Sequence, residues 1–461
     1  MRHDLQHSDL PVVVIGAGPV GLAAAAHLLE RGVTPLVLEA GPSVGAAVAQ
    51  WGHIQTFSTW AYNTDAAAVR LLEAAGWAAP NPKRLPTGRE LVKDYLEPLA
   101  ATPAIAAHVR TGHRVVAVTR AGLDKTRARD RAEAPFLVRT EAHGADGADG
   151  VEQDLEARAV IDASGTWGLP NPVGPGGLEA VGERATRAAG VVTSALPDVL
   201  GADRARFAGR TVLVIGAGHS AANTVLSLGR LAAEAEGTRV IWGLRGDDPS
   251  AVYGGEERDG LPARGALGAR LRTMVAAGRI EVRTGFRVLG TRTTAEDRLT
   301  VRADERGEDT ELEVDLLVPA TGFRPDLGML RELRLDLDPA FEAPRELAPL
   351  IDPEFHSCGT VPPHGAELLA HPEEGFFIVG MKSYGRAPTF LMATGYEQVR
   401  SIAAHLAGDT EAAARLELDL PETGVCSTDA GSCCDAPAEP QLLGIPTGLA
   451  HGRNGLATER A

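Results

Sequence analysis

A chain of 461 residues with 45 basic and 61 acidic side chains carries a formal charge of −16, which argues against nucleic acid or an anionic membrane as its main partner. Its length allows two or three domains with substantial cores. The N-terminus is polar and no apolar run approaches the ~18 residues of a membrane-spanning helix, so a cytoplasmic protein is expected. Four cysteines are too few for a disulfide framework, which favours a reducing compartment.

The first predicted elements are a buried parallel strand over 12–15 and an Ala- and Leu-rich helix, joined by a glycine-rich turn. In this first glycine turn, Gly16 permits unusual backbone angles, Gly18 admits a pyrophosphate close to the main chain, and Gly21 lets the helix pack on the strand. Pro19 belongs to the same turn. The N–H groups at the helix start then face the phosphates, so the pattern predicts a dinucleotide site.

A second strand is predicted over 33–38, and it ends at Glu39, whose carboxylate can accept hydrogen bonds from a ribose. The polar and aromatic stretch 51–63 lacks a steady period, which indicates a functional loop. Its alternative role is ordinary packing at the edge of a domain. Four of its side chains are candidates to line the cofactor, namely Trp51, Trp60, Tyr62 and Asn63.

The chain continues with two predicted helices and three strands, the helices over 66–75 and 89–101 and the strands over 113–120, 135–140 and 155–161. The three strands are predicted to form a meander, and Val115 on the first of them is a candidate cofactor contact. The apolar run over 159–162 is also predicted to be a strand. It ends in a turn of small residues, Ala163, Ser164 and Gly165, which we expect to lie near the cofactor.

A near repeat of the first motif starts at 211, about 200 residues further on. This second glycine turn contains Gly216, Gly218, Ser220 and Ala221, and two copies in one chain predict two dinucleotides.

The two copies differ after their second strands. The strand 238–245 ends with Arg245, where the strand of the first copy ends at Glu39. A guanidinium can pair with a 2′-phosphate, which a carboxylate would repel. The sequence therefore assigns FAD to the first site and NADPH to the second. The alternative for Arg245 is a solvated surface arginine.

Short strands are predicted over 278–284 and 298–303. The run 315–326 is a further strand that ends in a small-residue turn, with Thr321 and Gly322 expected near the cofactor.

A buried strand over 375–380 and a helix over 392–406 are predicted to return to the first domain and to place the helix N-terminus beside the cofactor. Gly380 and Gln398 are candidate cofactor contacts. Lys382, with Asn63, is a candidate catalytic residue.

The predicted fold class is α/β, with two Rossmann-type doubly wound dinucleotide-binding domains of which the second is inserted in the first. Residues 8–203 and 319–408 are assigned to the FAD-binding domain, residues 204–318 to the NADPH-binding domain, and residues 409–461 to a loosely ordered tail that contains cysteines.

Together, the two glycine turns and the turns at 162–166 and 319–323 resemble those of the flavin-containing monooxygenase group, over about 10–408. A narrower resemblance, to the flavoproteins of bacterial arsenical-resistance operons, rests on 356–360, on 381–398 and on the cysteines of the tail.

One feature departs from the monooxygenase group. Its members usually carry a Phe-x-Gly-x-x-x-His stretch before the second glycine turn, and the corresponding segment 190–198 has no histidine. The resemblance associates that histidine with coupling of flavin reduction to oxygenation. Its absence leaves room for an oxidase or a reductase.

The resemblance and the two sites together predict an NADPH-dependent monooxygenase, in which reduced FAD activates O2 as a C4a-peroxyflavin that oxygenates a small-molecule substrate, with a link to arsenical resistance. An NADPH-dependent flavin oxidase or a disulfide or metalloid reductase is the alternative, although no Cys-x-x-Cys pair is present. A third hypothesis is a metalloid-binding module built from Cys426, Cys433 and Cys434, with Cys358 more distant. No metal site is predicted, and the substrate and the oligomeric state, a homo-oligomer included, stay open.

Overall fold

The computed structural model describes residues 9–142, 150–254, 262–352, 361–387 and 390–418. The β-strands in chain order are β1 Val12–Ile15, β2 Pro35–Leu38, β3 Val109–Arg110, β4 His113–Arg120, β5 Phe136–Ala142, β6 Val151–Ala157, β7 Ala159–Asp162, β8 Thr211–Ile215, β9 Arg239–Gly243, β10 Glu281–Arg283, β11 Phe286–Thr293, β12 Leu299–Glu305, β13 Glu308–Val314, β14 Leu316–Pro319 and β15 Phe376–Ile378.

The α-helices in chain order are α1 Pro19–Glu30, α2 Ala46–Gln50, α3 Trp60–Asn63, α4 Ala66–Ala74, α5 Gly88–Leu91, α6 Glu97–Ala101, α7 Pro103–Ala106, α8 Glu183–Ala188, α9 Arg204–Phe207, α10 His219–Glu234, α11 Ser250–Tyr253, α12 Pro262–Ala276, α13 Ala348–Ile351, α14 Met392–Leu406 and α15 Thr410–Ala414. A π-helical turn over Val92–Leu96 joins α5 to α6, and a 3-10 helix covers Gly380–Tyr384. No helix of the described residues is both long and apolar enough to cross a membrane.

The first sheet has the strand order β15-β7-β1-β2-β3, and all of its strand pairs are parallel. Its central strand β1 is buried along its whole length, as expected for a parallel sheet covered by helices on both faces. The sheet takes β15 from near the C-terminal end of the described chain and its other strands from the first 162 residues. The predicted buried strand and the α/β fold class are confirmed.

The second sheet repeats this arrangement with the order β10-β9-β8-β14, again all parallel. Its central strand β8 lies between β9 and β14, just as β1 lies between β2 and β7. All of its strands lie between 211 and 319, within the segment that the first sheet leaves out. The repeat in the sequence is therefore also a repeat in the structure.

Two antiparallel sheets, β4-β5-β6 and β11-β12-β13, accompany the parallel ones. The strand predicted over 155–161 is wrong as one element, because the structure divides it at Arg158, whereas the apolar strand predicted from 159 is confirmed as β7. β6 pairs with β5 and is exposed over most of its length, whereas β7 is fully buried and pairs with β1. A polar run that changes into an all-apolar one marks the point where the chain passes from a half-exposed sheet to a buried sheet.

Two segments connect the parallel sheets, one after β7 and one after β14, and they run antiparallel to each other. Pro170 and Phe323 form a bridge, and the Asn171 amide donates to the carbonyl of Gly322 at 2.9 Å. The ring of Trp167 stacks on that of Phe323 with centroids 4.6 Å apart. Each crossing segment thus fixes the other.

Helix α14 has the bounds that the sequence predicted, and it packs against α1. The loosely ordered tail predicted from 409 onward is wrong for its first residues. They form α15, whose start is capped by the Asp409 carboxylate and which is held to α14 by a 2.6 Å hydrogen bond from the Ser401 hydroxyl to the carbonyl of Ala413. A helix of five residues has too little periodicity to be recognised in a sequence. Residues from 419 onward, with Cys426, Cys433 and Cys434, lie outside the described residues.

The predicted loop over 51–63 is also partly regular, since its last four residues form α3.

Stability should depend on pH through His371, which is 8% exposed and accepts a hydrogen bond from the Asp336 amide at Nδ1. Burial lowers the pKa of His371 from 6.5 to about 4. Between these values the unfolded chain binds a proton that the folded chain does not, so the free energy of unfolding should fall as the pH drops, by about 3 kcal/mol from this group. The variant His371→Asn keeps an acceptor but does not titrate. Denaturant unfolding should show a shallower pH dependence for it, and equal slopes would contradict this account.

Candidate functional site

The first glycine turn contains two glycines that the protein's own packing requires. Gly16 has a φ of +99°, and a Cβ there would lie 2.9 Å from the Ala163 carbonyl oxygen. A Cβ at Gly21 would lie only 1.9 Å from the carbonyl oxygen of Gly16. These contacts bring α1 and the residues after β7 directly onto the end of β1.

Gly18 differs from both neighbours. It has an ordinary φ of −79°, and a Cβ there would meet no atom within 4 Å. It is the N-cap of α1, and it provides no side-chain hydrogen bond to the first amides of that helix. An open surface at the start of a twelve-residue helix is suited to a pyrophosphate, because the unpaired N–H groups and the helix dipole both attract anions. The turn therefore fits the predicted dinucleotide.

Glu39 lies at the same edge of the first sheet. Its two carboxylate oxygens accept hydrogen bonds from the amides of Ala17 and Gly41, each at 2.8 Å. Every carboxylate oxygen has a second lone pair, so both can still accept from ribose hydroxyls. The structure brings Glu39 to the first glycine turn, as the sequence predicted.

The second glycine turn repeats this geometry. Gly216 has a φ of +140°, and a Cβ there would lie 2.0 Å from the carbonyl oxygen of Ala320. Gly218 is the N-cap of α10 and, like Gly18, has no atom within 4 Å of a Cβ position. Ser220 is half-buried in the first turn of α10, and Ala221 is fully buried where the first copy has a glycine.

Arg245 lies on the surface two residues after β9, and its guanidinium donates a 3.4 Å hydrogen bond to the carbonyl of Pro175. Thr321 and Gly322 belong to a crossing segment. The Thr321 hydroxyl donates to the carbonyl of Asn171 at 2.6 Å. Its side chain therefore links the two segments that connect the parallel sheets.

A buried polar network lies where β7 ends. The Lys382 ammonium donates to Asp162 Oδ2 at 2.6 Å and to the Ser164 hydroxyl at 3.0 Å, and both charged side chains are 0% exposed. The Ser164 hydroxyl and amide in turn donate to Asp162 Oδ1. Gly165, with a φ of +69°, has no atom within 4 Å of a Cβ position, so the outer side of the 163–165 turn is open.

Gln398, on α14, forms hydrogen bonds to three groups on the other side of this edge of the first sheet. Its Oε1 accepts from the amide of Gly380 at 2.8 Å, and its Nε2 donates to the hydroxyl of Ser383 and to Nε2 of His364, each at 2.9 Å. Burial lowers the pKa of His364, and Nδ1 lies 3.0 Å from the Pro362 carbonyl. A neutral ring with its proton on Nδ1 satisfies both contacts.

Asn63 uses its amide within its own loop. Nδ2 donates to the carbonyl of Ser58 at 2.7 Å, and Oδ1 accepts from the Ser58 hydroxyl at 2.8 Å. The Tyr396 hydroxyl donates to the backbone carbonyl of Asn63 at 2.9 Å. The catalytic roles predicted for Asn63 and Lys382 stay predictions, and in the structure both side chains hold other segments in place.

The remaining candidates lie around this edge. Trp60 is 1% exposed, and its Nε1 has no hydrogen-bond partner within the described chain. Trp51 packs over Gly88, where a Cβ would lie 2.7 Å from the indole ring. Tyr62 is half-buried, and Val115 is buried at the start of a β-bulge in β4. Among the described residues, no group of three or more His, Cys, Asp or Glu side chains could hold a metal ion.

The sequence analysis missed Asp162, His364 and Ser383 as members of the site. Asp162 carried a usable signal, because it is the one charged residue at the end of an all-apolar buried strand, and such a charge needs a partner. His364 and Ser383 had no such signal.

Comparisons with known proteins agree with this geometry. Residues 11–143 match the family model described as FAD dependent oxidoreductase. No curated protein matches the chain. A bacillithiol disulfide reductase from Bacillus cereus has a similar structure, with a TM-score of 0.61 and 22% identity over 87% of this chain and 99% of that one.

Two monooxygenase structures are also similar. The FAD-bound cadaverine monooxygenase of desferrioxamine biosynthesis from Erwinia amylovora has a TM-score of 0.59 and 14% identity over 94% of this chain and 99% of its own. A mutant flavin monooxygenase from Stenotrophomonas maltophilia has a TM-score of 0.52 and 22% identity over 86% and 99%. At these identities the likenesses show the fold.

The glycine turns make a direct test of the ligand site possible. Gly18→Ala should leave the unfolding temperature of the ligand-free protein unchanged, because its Cβ meets no protein atom, yet it should weaken FAD binding about tenfold or more by keeping the pyrophosphate away. Isothermal titration of the ligand-free protein with FAD measures this. Gly218→Ala is the matched control, which should leave FAD binding unchanged. Equal FAD affinity of Gly18→Ala and the unmodified protein would exclude the turn as the pyrophosphate site.

Proposed function

We propose that this FAD-dependent oxidoreductase takes electrons from NADPH and uses them to activate O2 in a monooxygenase reaction on a small-molecule substrate. The proposal is supported mainly by the duplicated unit of strand, glycine turn and helix. Glu39 follows the second strand of the first copy, and an exposed Arg245 follows the second strand of the other copy. In this proposal residues 8–203 and 319–408 bind FAD, and residues 204–318 bind NADPH.

The protein's part in such a reaction is to bind and orient the two nucleotides. The start of α1 with Gly18 would hold the FAD pyrophosphate and Glu39 the ribose hydroxyls. The start of α10 with Gly218 would hold the NADPH pyrophosphate, and Arg245 the 2′-phosphate. FAD, when bound, supplies the hydride acceptor and the electron donor to O2.

The cysteine content supports O2 rather than a disulfide as the electron acceptor. A flavin-linked disulfide reductase uses a thiol pair close to the flavin, and the sequence contains no Cys-x-x-Cys. All four cysteines lie outside the described residues, so this support comes from their spacing in the sequence. The fold does not decide the question, because similar structures include both reductases and monooxygenases.

A second candidate is an NADPH-dependent flavin oxidase or a disulfide or metalloid reductase. It is favoured by the segment 190–198, which has no histidine where the monooxygenases that this sequence resembles carry one. The proposed link to arsenical resistance is supported by the sequence resemblance alone. Metalloid binding by the tail cysteines is supported by the soft thiolate ligands that they could supply.

The central prediction concerns the two half-reactions. Under anaerobic conditions, NADPH should bleach the flavin absorption of the FAD-loaded protein, because the two sites deliver a hydride from one nucleotide to the other. When the reduced protein is then mixed with O2 in a stopped-flow spectrometer, a flavin species distinct from the oxidised and reduced forms should persist for a monooxygenase.

Direct return to the oxidised spectrum with release of hydrogen peroxide would favour the oxidase instead. Rapid reoxidation by an added disulfide or metalloid in the absence of O2 would favour the reductase. A protein that takes up no FAD would contradict the proposal as a whole.

The choice of NADPH over NADH should depend on Arg245. Replacing it with alanine should raise the Kd for NADPH about tenfold or more, because a charged hydrogen bond to the 2′-phosphate is lost, and should leave the Kd for NADH nearly unchanged. Fluorescence titration with both nucleotides measures the ratio. Arg230→Ala, which removes another exposed arginine at the far end of α10, serves as the matched control. An equal effect of Arg245→Ala on both nucleotides would overturn the assignment.

A further inference from the structure

Lys382 has an environment that is unusual for a lysine. Its ammonium group is 0% exposed and lies 2.6 Å from Asp162 Oδ2, and the Asp162 side chain is also 0% exposed. Lysine is among the residues least often fully buried, because removal of the charge from water is costly unless it is paired. Ion pairs of this kind are weak contributors to stability compared with apolar packing of the same volume. Folding stability alone therefore does not explain why this ion pair is buried.

The position of Asp162 in the first sheet shows which strands meet at the ion pair. Asp162 is the last residue of β7, in register with Ile15 of β1 and Ile378 of β15. The Asp162 carbonyl accepts from the amide of Val379 at 2.9 Å, and the next residue, Ala163, donates to the Ile15 carbonyl at 2.9 Å. The ion pair thus lies where three strands of the first sheet end together.

Lys382 links this point to a second segment. It lies in the 3-10 helix Gly380–Tyr384, whose first amide is held by Gln398 of α14. Lys382 also donates to the hydroxyl of Ser164, a residue that is exposed on its outer side. The pair therefore connects the 380–384 segment to the 163–165 turn, which lies against the first glycine turn at Gly16.

The second parallel sheet, with its own glycine turn, shows that the fold does not require such an ion pair. Pro319 of β14 is in register with Ile215 as Asp162 is with Ile15. The carbonyl of the following residue, Ala320, still packs on Gly216. A proline thus supports the same close approach in the unit assigned to NADPH, and only the unit assigned to FAD carries the buried charges at this position.

We propose that Lys382 is a positioning residue for FAD: through Asp162 and Ser164 it holds the 163–165 turn and the 380–384 segment in the arrangement that binds the cofactor. It does so without contacting the reacting atoms, since its ammonium is fully buried and donates to both of these partners. The proposal rests on the FAD site proposed above.

The decisive variant is the double substitution Asp162→Asn/Lys382→Met. It removes both charges together, so no unpaired charge is left buried and the chain can fold. The Kd for FAD of the ligand-free protein should rise about tenfold, which corresponds to the loss of one charged hydrogen bond. The single variant Lys382→Met leaves the Asp162 carboxylate without its cation and should bind FAD more weakly still.

Two further measurements separate positioning from general stability. The visible circular dichroism of the bound flavin should weaken in the double variant, because the ring system is held less rigidly, while its Kd for NADPH should stay unchanged. Arg400→Met is the matched control, since Arg400 forms another buried ion pair, with Glu397 on α14 (7% and 3% exposed). It should lower the unfolding temperature and leave FAD binding unchanged.

Unchanged FAD affinity of the double variant would overturn the proposal. So would an equal loss of FAD affinity in Arg400→Met, because the effect would then be general destabilisation. Failure of the unmodified protein to bind FAD would instead contradict the function proposed above.

Discussion

The structure depends on two places where a glycine lies directly against the backbone at the end of a neighbouring strand. A Cβ at Gly16 would lie 2.9 Å from the carbonyl of Ala163, and one at Gly216 would lie 2.0 Å from that of Ala320. Because both contacts involve backbone, no change of rotamer can relieve them. Each contact brings the turn after the closing strand onto the turn after the central strand. A helix N-terminus then opens at the junction, beside Gly18 or Gly218.

The two junctions have the same backbone but different chemistry. The first is surrounded by buried polar groups, with Asp162 paired to Lys382 and Gln398 holding the following 3-10 helix. The second has Pro319 in place of Asp162 and is joined to the crossing segment by the Thr321 hydroxyl. Since each polar group of the first junction is hydrogen-bonded, the network can fix one arrangement of its turns. The two junctions that are proposed to bind FAD and NADPH thus differ in the polar groups beside them.

The errors of the sequence analysis have physical causes. The end of β6 before Arg158 was missed because β6 and β7 are nearly continuous in sequence and differ in the sheets that they join. Helix α15 was missed because it is short and is held by the hydroxyl of Ser401 from another helix. In both cases the deciding partner, a different sheet or another helix, was not visible in the local pattern.

The sequence by itself determined the two strand, turn and helix units, the glycines of their turns, and the contrast between Glu39 and Arg245. These features are local, since runs of branched residues, glycine spacing and the residue that ends a strand act within a few positions of each other. Only the tertiary structure decided that Lys382 pairs with Asp162, 220 residues away in the chain. That pair forms only when β7 and β15 lie side by side, and a single sequence does not encode the register of distant strands in any local pattern.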